Sequence, residues 1–178
     1  KDSGIISVPK HFPGHGRSKF DTHVNLSIIK TCYNELKSTD LVPFEILNQS
    51  LMVMLAHIIY PSLDLSVATY SKKIIRILKE EFNFKGLVLS DDISMKAIDD
   101  DLVTKVKKIY DAGCHVVLYC NGSLKEMERI YPFVKAINKN KFSYFNKEQV
   151  KIVFKQKKIN KFKSDLLEYG LIENASKS

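Results

Sequence analysis

Apolar residues along this chain fall in short unbroken runs, separated by stretches with helical spacing. The runs are Gly4-Ile5-Ile6-Ser7-Val8, Leu51 to Ala56, Leu87-Val88-Leu89 and His115 to Tyr119. Runs of that length without polar alternation read as strands covered on both faces. Residues 26–38 and 41–48 are predicted helical, with Pro43 near a helix start. Ile74, Ile75, Leu78 and Phe82 predict a helix over 71–82, with Ser71 as its N-cap. Leu102, Val106, Ile109 and Tyr110 predict another, ended near Gly113. Asn121-Gly122-Ser123 turns into a predicted helix over 124–138, and the chain from Asn146 onward is predicted helical. Strands alternating with helices imply βα units on a parallel sheet, an α/β fold.

Polar loops follow the carboxyl end of each predicted strand: Lys10 to His23, His57 to Asp64, Ser90 to Ser94, and Asn121 to Ser123. Parallel α/β folds build their sites from such loops, so one site drawn from several strand ends is the economical expectation. The first loop is the densest. From Lys10 to His23 it carries three histidines, two lysines, one arginine and one aspartate, punctuated by Pro13, Gly14 and Gly16. Lys10 and His11, at the strand-to-loop junction, offer donors for a substrate hydroxyl or carbonyl.

Asp21-x-His23 sets a carboxylate two residues from an imidazole. Such a carboxylate can orient the ring and raise its proton affinity for proton transfer. Two other readings stay open from the residues alone: a hydrogen bond that merely orders the loop, and a metal site built from His11, His15, Asp21 and His23. The spacing of the latter matches no zinc pattern. Asp91 and Asp92 close the third strand. A strand-end pair of carboxylates is costly to bury, so one of the two is expected to serve chemistry and the other to cap a helix over Ile93 to Ile98. Alternation puts Asp91 with Leu87 and Leu89 but does not say which face meets the substrate. His57 is equally a core histidine or a site residue.

Charge and length narrow the picture. The chain has 178 residues and a formal net charge of +8. Ten lysines and one acid lie in residues 135–163, and the remainder carries 18 basic against 19 acidic residues. The basic excess is therefore local, and a solvated helix face is expected over a nucleic-acid or membrane surface. The run from Leu51 to Tyr60 is broken by His57 and too short to span a bilayer. Lys1-Asp2-Ser3-Gly4 does not read as the start of a signal peptide. Cys32, Cys114 and Cys120 lack metal-ligand spacing and are expected as reduced thiols of a cytosolic protein.

Taken together, these residues resemble glycoside hydrolase family 3, in particular its bacterial cytoplasmic β-N-acetylglucosaminidases of peptidoglycan recycling. The stretches that carry the resemblance are Lys10-His11-Phe12-Pro13-Gly14-His15-Gly16, Asp21-Thr22-His23, Leu41-Val42-Pro43-Phe44, Met54 to Pro61, Phe84 to Met95, and Ala112-Gly113-Cys114 through Tyr119-Cys120-Asn121. They cover about residues 4 to 130. Four positions depart from the family's habit: Arg17 and Ser18, Val67, and His115, where an aspartate is usual.

The resemblance implies a retaining double displacement with Asp91 as nucleophile, His23 as acid/base and Asp21 orienting it. Lys10 and His11 would hold the N-acetylglucosamine ring. The implied substrate is an N-acetylglucosaminyl-anhydromuropeptide, in the cytoplasm, with no metal or organic cofactor. The family fold is a (β/α) barrel of eight strands, which takes roughly 250 residues. Four predicted strands therefore imply the C-terminal half of a TIM-type barrel, over residues 1–140, followed by a lysine-rich helical tail over 141–178. A half barrel leaves open sheet edges, a liability for aggregation or pairing, and the other half is expected from another chain or from the full-length gene product. The alternative is a truncated, inactive fragment of such an enzyme. A basic nucleic-acid-binding module is argued only by the 135–163 lysines.

Overall fold

The computed structural model describes residues 5–19, 25–153 and 164. The described chain begins with the Lys10 loop and continues through β1 (Ser27–Ile28), α1 (Tyr33–Ser38), α2 (Val42–Ile46) and β2 (Met52–Met54). Next come β3 (Ile58–Tyr60), β4 (Asp64–Val67), a 3₁₀ turn at Ala68–Tyr70 and α3 (Lys72–Arg76), which runs on as a π-helical turn over Ile77–Glu81. Then follow β5 (Leu87–Asp92), α4 (Leu102–Ala112), β6 (Val116–Leu118), α5 (Leu124–Ile130), a 3₁₀ turn at Tyr131–Phe133 and α6 (Lys139–Val153).

The framework is a parallel sheet in the order β2-β5-β6. Met52 to Met54 pair with Leu87 to Leu89, and Leu89 with Val116. The segment before the Lys10 loop adds a fourth lane. The Met54 N–H donates to the Pro9 carbonyl at 3.1 Å, the Phe12 N–H donates to the Met54 carbonyl at 2.8 Å, and the Ala56 N–H to the Phe12 carbonyl at 2.8 Å. The strand expected over residues 4–8 is thus displaced toward the loop: Ile5 to Val8 form no strand, Ile5 is exposed, and parallel bonding starts at Pro9. A half barrel of parallel strands is the architecture the sequence implies, and it is the one observed.

A second sheet, β1-β3-β4, stands above the carboxyl ends of the first. The helix expected over 26–38 therefore gives way in its first half to a strand. Ser27 and Ile29 are buried while Ile28 is exposed, which is an alternation of two. The helix expected over 124–138 stops at Ile130 because Pro132 follows, which has no N–H to give. Helix 71–82 has its expected span, and the Ile74 N–H donates to the Ser71 hydroxyl at 3.0 Å. α4 ends at Gly113 as expected. The tail beyond Val153, Ser164 apart, lies outside the described residues.

The core lies between the parallel sheet and its helices. Phe12, Leu36, Leu41, Leu55, Ile58, Tyr60 and Ile74 are fully buried in it. Phe12 meets Phe44 and Phe82 edge-on, with ring centroids 5.1 and 6.1 Å apart. The residue after the Lys10-His11 pair is thereby locked into the apolar interior, which holds the loop's base still. No helix among the described residues is long and apolar enough to cross a membrane.

Candidate active site

β5 carries Asp91 to the carboxyl end of the parallel sheet. Leu87 to Asp91 are all buried, with Asp91 at 7% exposure. The pairing with β6 slips here: Leu89 lies opposite Val116, but Asp92 lies opposite Leu118. Three steps along β5 match two along β6, so a bulge sits at Ser90–Asp91. Bulges re-aim side chains, and they cluster next to active sites. This one breaks the alternation on which a sequence-based assignment of faces depends.

Ser90 makes the bulge affordable. Its hydroxyl accepts the Leu118 N–H at 3.0 Å and donates to the Asp91 carbonyl at 2.7 Å. The Asp91 carboxylate is fixed from its own chain: Oδ1 accepts the Asp92 N–H at 2.8 Å. Oδ2 faces His11, with Nε2 at 3.5 Å. The His11 ring in turn lies 5.4 Å from that of His15, tilted by 53°. Asp91 and His11, chosen separately from the sequence, are thus brought together across two strand ends.

Asp92 has a different task. Oδ1 accepts the N–H groups of Ser94 and Cys120, both at 3.0 Å, and Oδ2 accepts the Ser94 hydroxyl at 2.5 Å. Burial would raise this carboxyl, but the hydrogen bonds from Cys120 and Ser94 outweigh it and hold Asp92 below the usual carboxylate value. It caps a turn rather than the expected helix over Ile93 to Ile98. The carbonyls that such a helix would use are already taken. Buried Lys105 of α4 donates to the Ile93 and Met95 carbonyls at 2.9 and 3.2 Å. Ile93, Met95 and Ala97 are buried at every second position instead.

Lys10 is exposed at the mouth of this arrangement. Asp21 and His23 lie outside the described residues. The flanking loop is tied down on several sides. The Gly14 N–H closes a turn onto the His11 carbonyl at 2.8 Å, and the buried Tyr60 hydroxyl donates to the Gly14 carbonyl. Gly14 has φ +141°, and a Cβ there would stand 2.9 Å from that of Asp40, so glycine is required twice over. Arg17 bonds Asp40 through Nε at 2.8 Å and Glu35 at 2.8 Å, which anchors the loop to α1. Partial burial would raise the Asp40 carboxyl, yet Arg17 and Thr39 bring it below its ordinary value.

His57, at the end of β2, is 1% exposed. Its Nδ1 lies 2.7 Å from the Thr69 hydroxyl and its Nε2 3.2 Å from the Asp92 carbonyl. It is therefore a satisfied interior histidine that also reaches the site. Ser90, Thr69 and Tyr60 were invisible to motif reading because each acts on a main-chain atom or on another side chain, with no spacing of its own. Among the described residues no cluster of three or more His, Cys, Asp or Glu is placed to hold a metal ion.

A buried carboxylate beside an imidazole, at the carboxyl ends of parallel strands, places this chain among barrel proteins that assemble their sites from strand-end loops. Comparison with known proteins narrows the class. The model of the glycosyl hydrolase family 3 N terminal domain matches residues 1–153, and the chain belongs to that family. It is 43% identical over 126 residues to a beta-hexosaminidase of Stenotrophomonas maltophilia strain K279a, covering 68% of this chain and 38% of the relative. It is 38% identical over 123 residues to a beta-hexosaminidase of Nitrosomonas eutropha, covering 66% of this chain and 35% of the relative. The crystal structure of the beta-N-acetylglucosaminidase from Thermotoga maritima superposes with a TM-score of 0.66 at 30% identity, over 84% of this chain and 35% of that one. The chain thus spans little more than a third of the length of these relatives.

Proposed function

We propose that this chain is the nucleophile-bearing part of a retaining β-N-acetylglucosaminidase. The observation that carries the reading is the Asp91–His11 pair, 3.5 Å apart at the strand ends. Asp91 attacks the anomeric carbon and displaces the leaving oxygen, which takes a proton from His23. Water, giving its proton back to His23, then attacks the same carbon and breaks the glycosyl ester on Asp91. Each step inverts the anomeric centre, so the net outcome is retention. Asp21 orients His23, and Lys10 and His11 hold the sugar. Family membership and the Asp21-Thr22-His23 sequence support these roles.

The substrate in this reading is a terminal β-linked N-acetylglucosamine on a cell-wall turnover fragment, an N-acetylglucosaminyl-anhydromuropeptide, met in the cytoplasm. The reading calls on side chains alone and on no cofactor. Residues 1–140 form the catalytic half, and 141–178 a lysine-rich tail. Lys141, at the start of that tail, donates its amine to the Lys85 carbonyl at 2.6 Å. The remaining strands of the barrel come from another chain or from the full-length gene product.

Hydrolysis of p-nitrophenyl β-N-acetylglucosaminide by the purified chain, alone and mixed with the N-terminal half of a family 3 relative, tests this. Turnover in the mixture only is the expected result. Turnover by the chain alone would remove the need for a second polypeptide. Silence in both, from a folded sample, would favour an inactive fragment.

A further inference from the structure

Between the two sheets, directly behind Asp91, lies a buried imidazole that the proposed chemistry does not use. His57 is 1% exposed and Thr69 is fully buried. Nε2 of His57 is 3.2 Å from the Asp92 carbonyl oxygen. A carbonyl only accepts, so this contact requires the hydrogen on Nε2. On the other side Nδ1 is 2.7 Å from the Thr69 hydroxyl, whose oxygen is also 2.8 Å from the Ala56 carbonyl.

A hydroxyl carries one hydrogen and can also accept. With a neutral ring, the Thr69 hydrogen points at Nδ1. With a protonated ring, Nδ1–H donates to Thr69 and the hydroxyl hydrogen turns to Ala56. Both arrangements leave Nε2–H on Asp92. A neutral ring with its hydrogen on Nδ1 would instead set a lone pair of Nε2 against the carbonyl. Partners that fix a tautomer in this way are how a second layer of residues orients a site.

We propose that His57 is a positioning residue for Asp91: held in the Nε2–H form by the Asp92 carbonyl together with Thr69, it fixes that carbonyl and with it the strand end that aims the Asp91 carboxylate. The bulge at Ser90–Asp91 gives this a purpose. A bulged strand end has lost its regular ladder bonds, and past the bulge the Asp92 carbonyl is held between the His57 ring and the Met95 N–H, each at 3.2 Å. The charged groups around the ring are Asp91 and Asp92 of β5, which favour a proton on it, and Lys105 of α4, which opposes one. Burial is the largest influence and lowers the ring's proton affinity. The Thr69 adapter makes the grip on Asp92 independent of which state prevails. The inference rests on the reading of Asp91 as nucleophile.

The test is long-range ¹H–¹⁵N correlation on the ¹⁵N-labelled, unmutated chain from pH 5 to 8. The expected result is an Nε2–H ring at His57 across the range. A neutral ring with its hydrogen on Nδ1 and a bare Nε2 overturns the proposal. Two variants add a kinetic arm on the aryl N-acetylglucosaminide, read with the N-terminal half of a family 3 relative present. Thr69→Val should mix the tautomers and lower kcat at least about tenfold with KM unchanged, as a small misplacement of a reacting group does. Thr69→Ser should restore both. Mixed tautomers with full kcat in Thr69→Val would defeat the positioning role while leaving the nucleophile reading intact. Wild-type turnover in Asp91→Asn would defeat the nucleophile reading, whatever the ring at His57 shows.

Discussion

The two ends of β5 solve the same problem, closing a strand, with opposite chemistry. At the carboxyl end the side chains are acidic and their surroundings are built to aim them. Asp91 is buried but turned to His11, Asp92 gathers three donors, and His57 and Lys105 grip the main chain around them. At the amino end the side chains are basic and each closes on a backbone atom. Lys141 and Lys79 donate to the carbonyls of Lys85 and Gly113, and His115 accepts the Val88 N–H through Nδ1 at 2.9 Å. Groups at the amino end complete hydrogen bonds that the strands leave open. At the other end, hydrogen bonds are used to hold one carboxylate in place. The amino end of such a sheet therefore speaks for stability and the carboxyl end for chemistry.

The sharpest way to break this comparison is at Asp91. Asp91→Asn should lower turnover at least about a thousandfold, as loss of a covalent nucleophile does. Its denaturation midpoint should stay near that of the parent chain. A large loss of stability with modest loss of activity would make the carboxyl end a structural device after all.

At the amino end the opposite split is expected. A Cβ on Gly86 would stand 2.5 Å from the Leu51 carbonyl oxygen, where β2 and β5 begin to pair. Gly86→Ala should therefore cost roughly 1–3 kcal/mol in chemical denaturation, a typical overpacking penalty. Turnover per folded molecule should be unchanged.

Acid separates the two ends more gently. His115 accepts a main-chain N–H through Nδ1 and so must be neutral there. Burial, with Lys79 and Lys141 nearby, lowers its pKa from 6.5 to about 4. Between those values the unfolded chain binds a proton that the folded chain refuses, so stability rises with pH across this window and is complete above it. Allowing for the ring's partial exposure, the loss on acidification is about 2 kcal/mol. His115→Gln, which keeps an acceptor without the titration, should flatten denaturation midpoints over the same range. Asp92 has the same dependence at lower pH: its pKa is depressed, so its contribution is complete above the usual carboxylate value and is lost as pH falls below it.

The smallest effect is expected at the rim. Arg17 is an exposed anchor of the Lys10 loop, and exposed ion pairs contribute little to stability. Arg17→Ala should leave the melting temperature unchanged while increasing proteolytic cleavage between Lys10 and Lys19. A marked drop in melting temperature would mean that the loop supports the core rather than the reverse.

Much of this was legible in the residues. Leu51 to Ala56 and Leu87 to Leu89 gave themselves away because strands covered on both faces are continuously apolar, and His115 to Tyr119 was legible by the same kind of run although it is only half-buried. Asp91 and Asp92 were also legible as a pair, though the residues alone did not say which of the two would be tied into a turn. The bulge that decides it has no residue signature beyond a serine. β1, β3 and β4 were missed because they are only two to four residues long, and in β1 the buried position is Ser27, which hides the alternation. The turn after Asp92 was misread as a helix because Lys105, ten and twelve residues away in the chain from the carbonyls it takes, occupies groups that a helix needs. Long-range partners of that kind leave no local pattern.

The central claim is that Asp91 bonds covalently to the sugar. A 5-fluoro-N-acetylglucosaminyl fluoride, which slows breakdown of a glycosyl ester, should be incubated with the chain and the N-terminal half of a family 3 relative, and the digest mapped by mass spectrometry. The account predicts one sugar ester, on the peptide containing Asp91, and none in Asp91→Asn. An adduct on another carboxylate, or undiminished hydrolysis by Asp91→Asn, would contradict it.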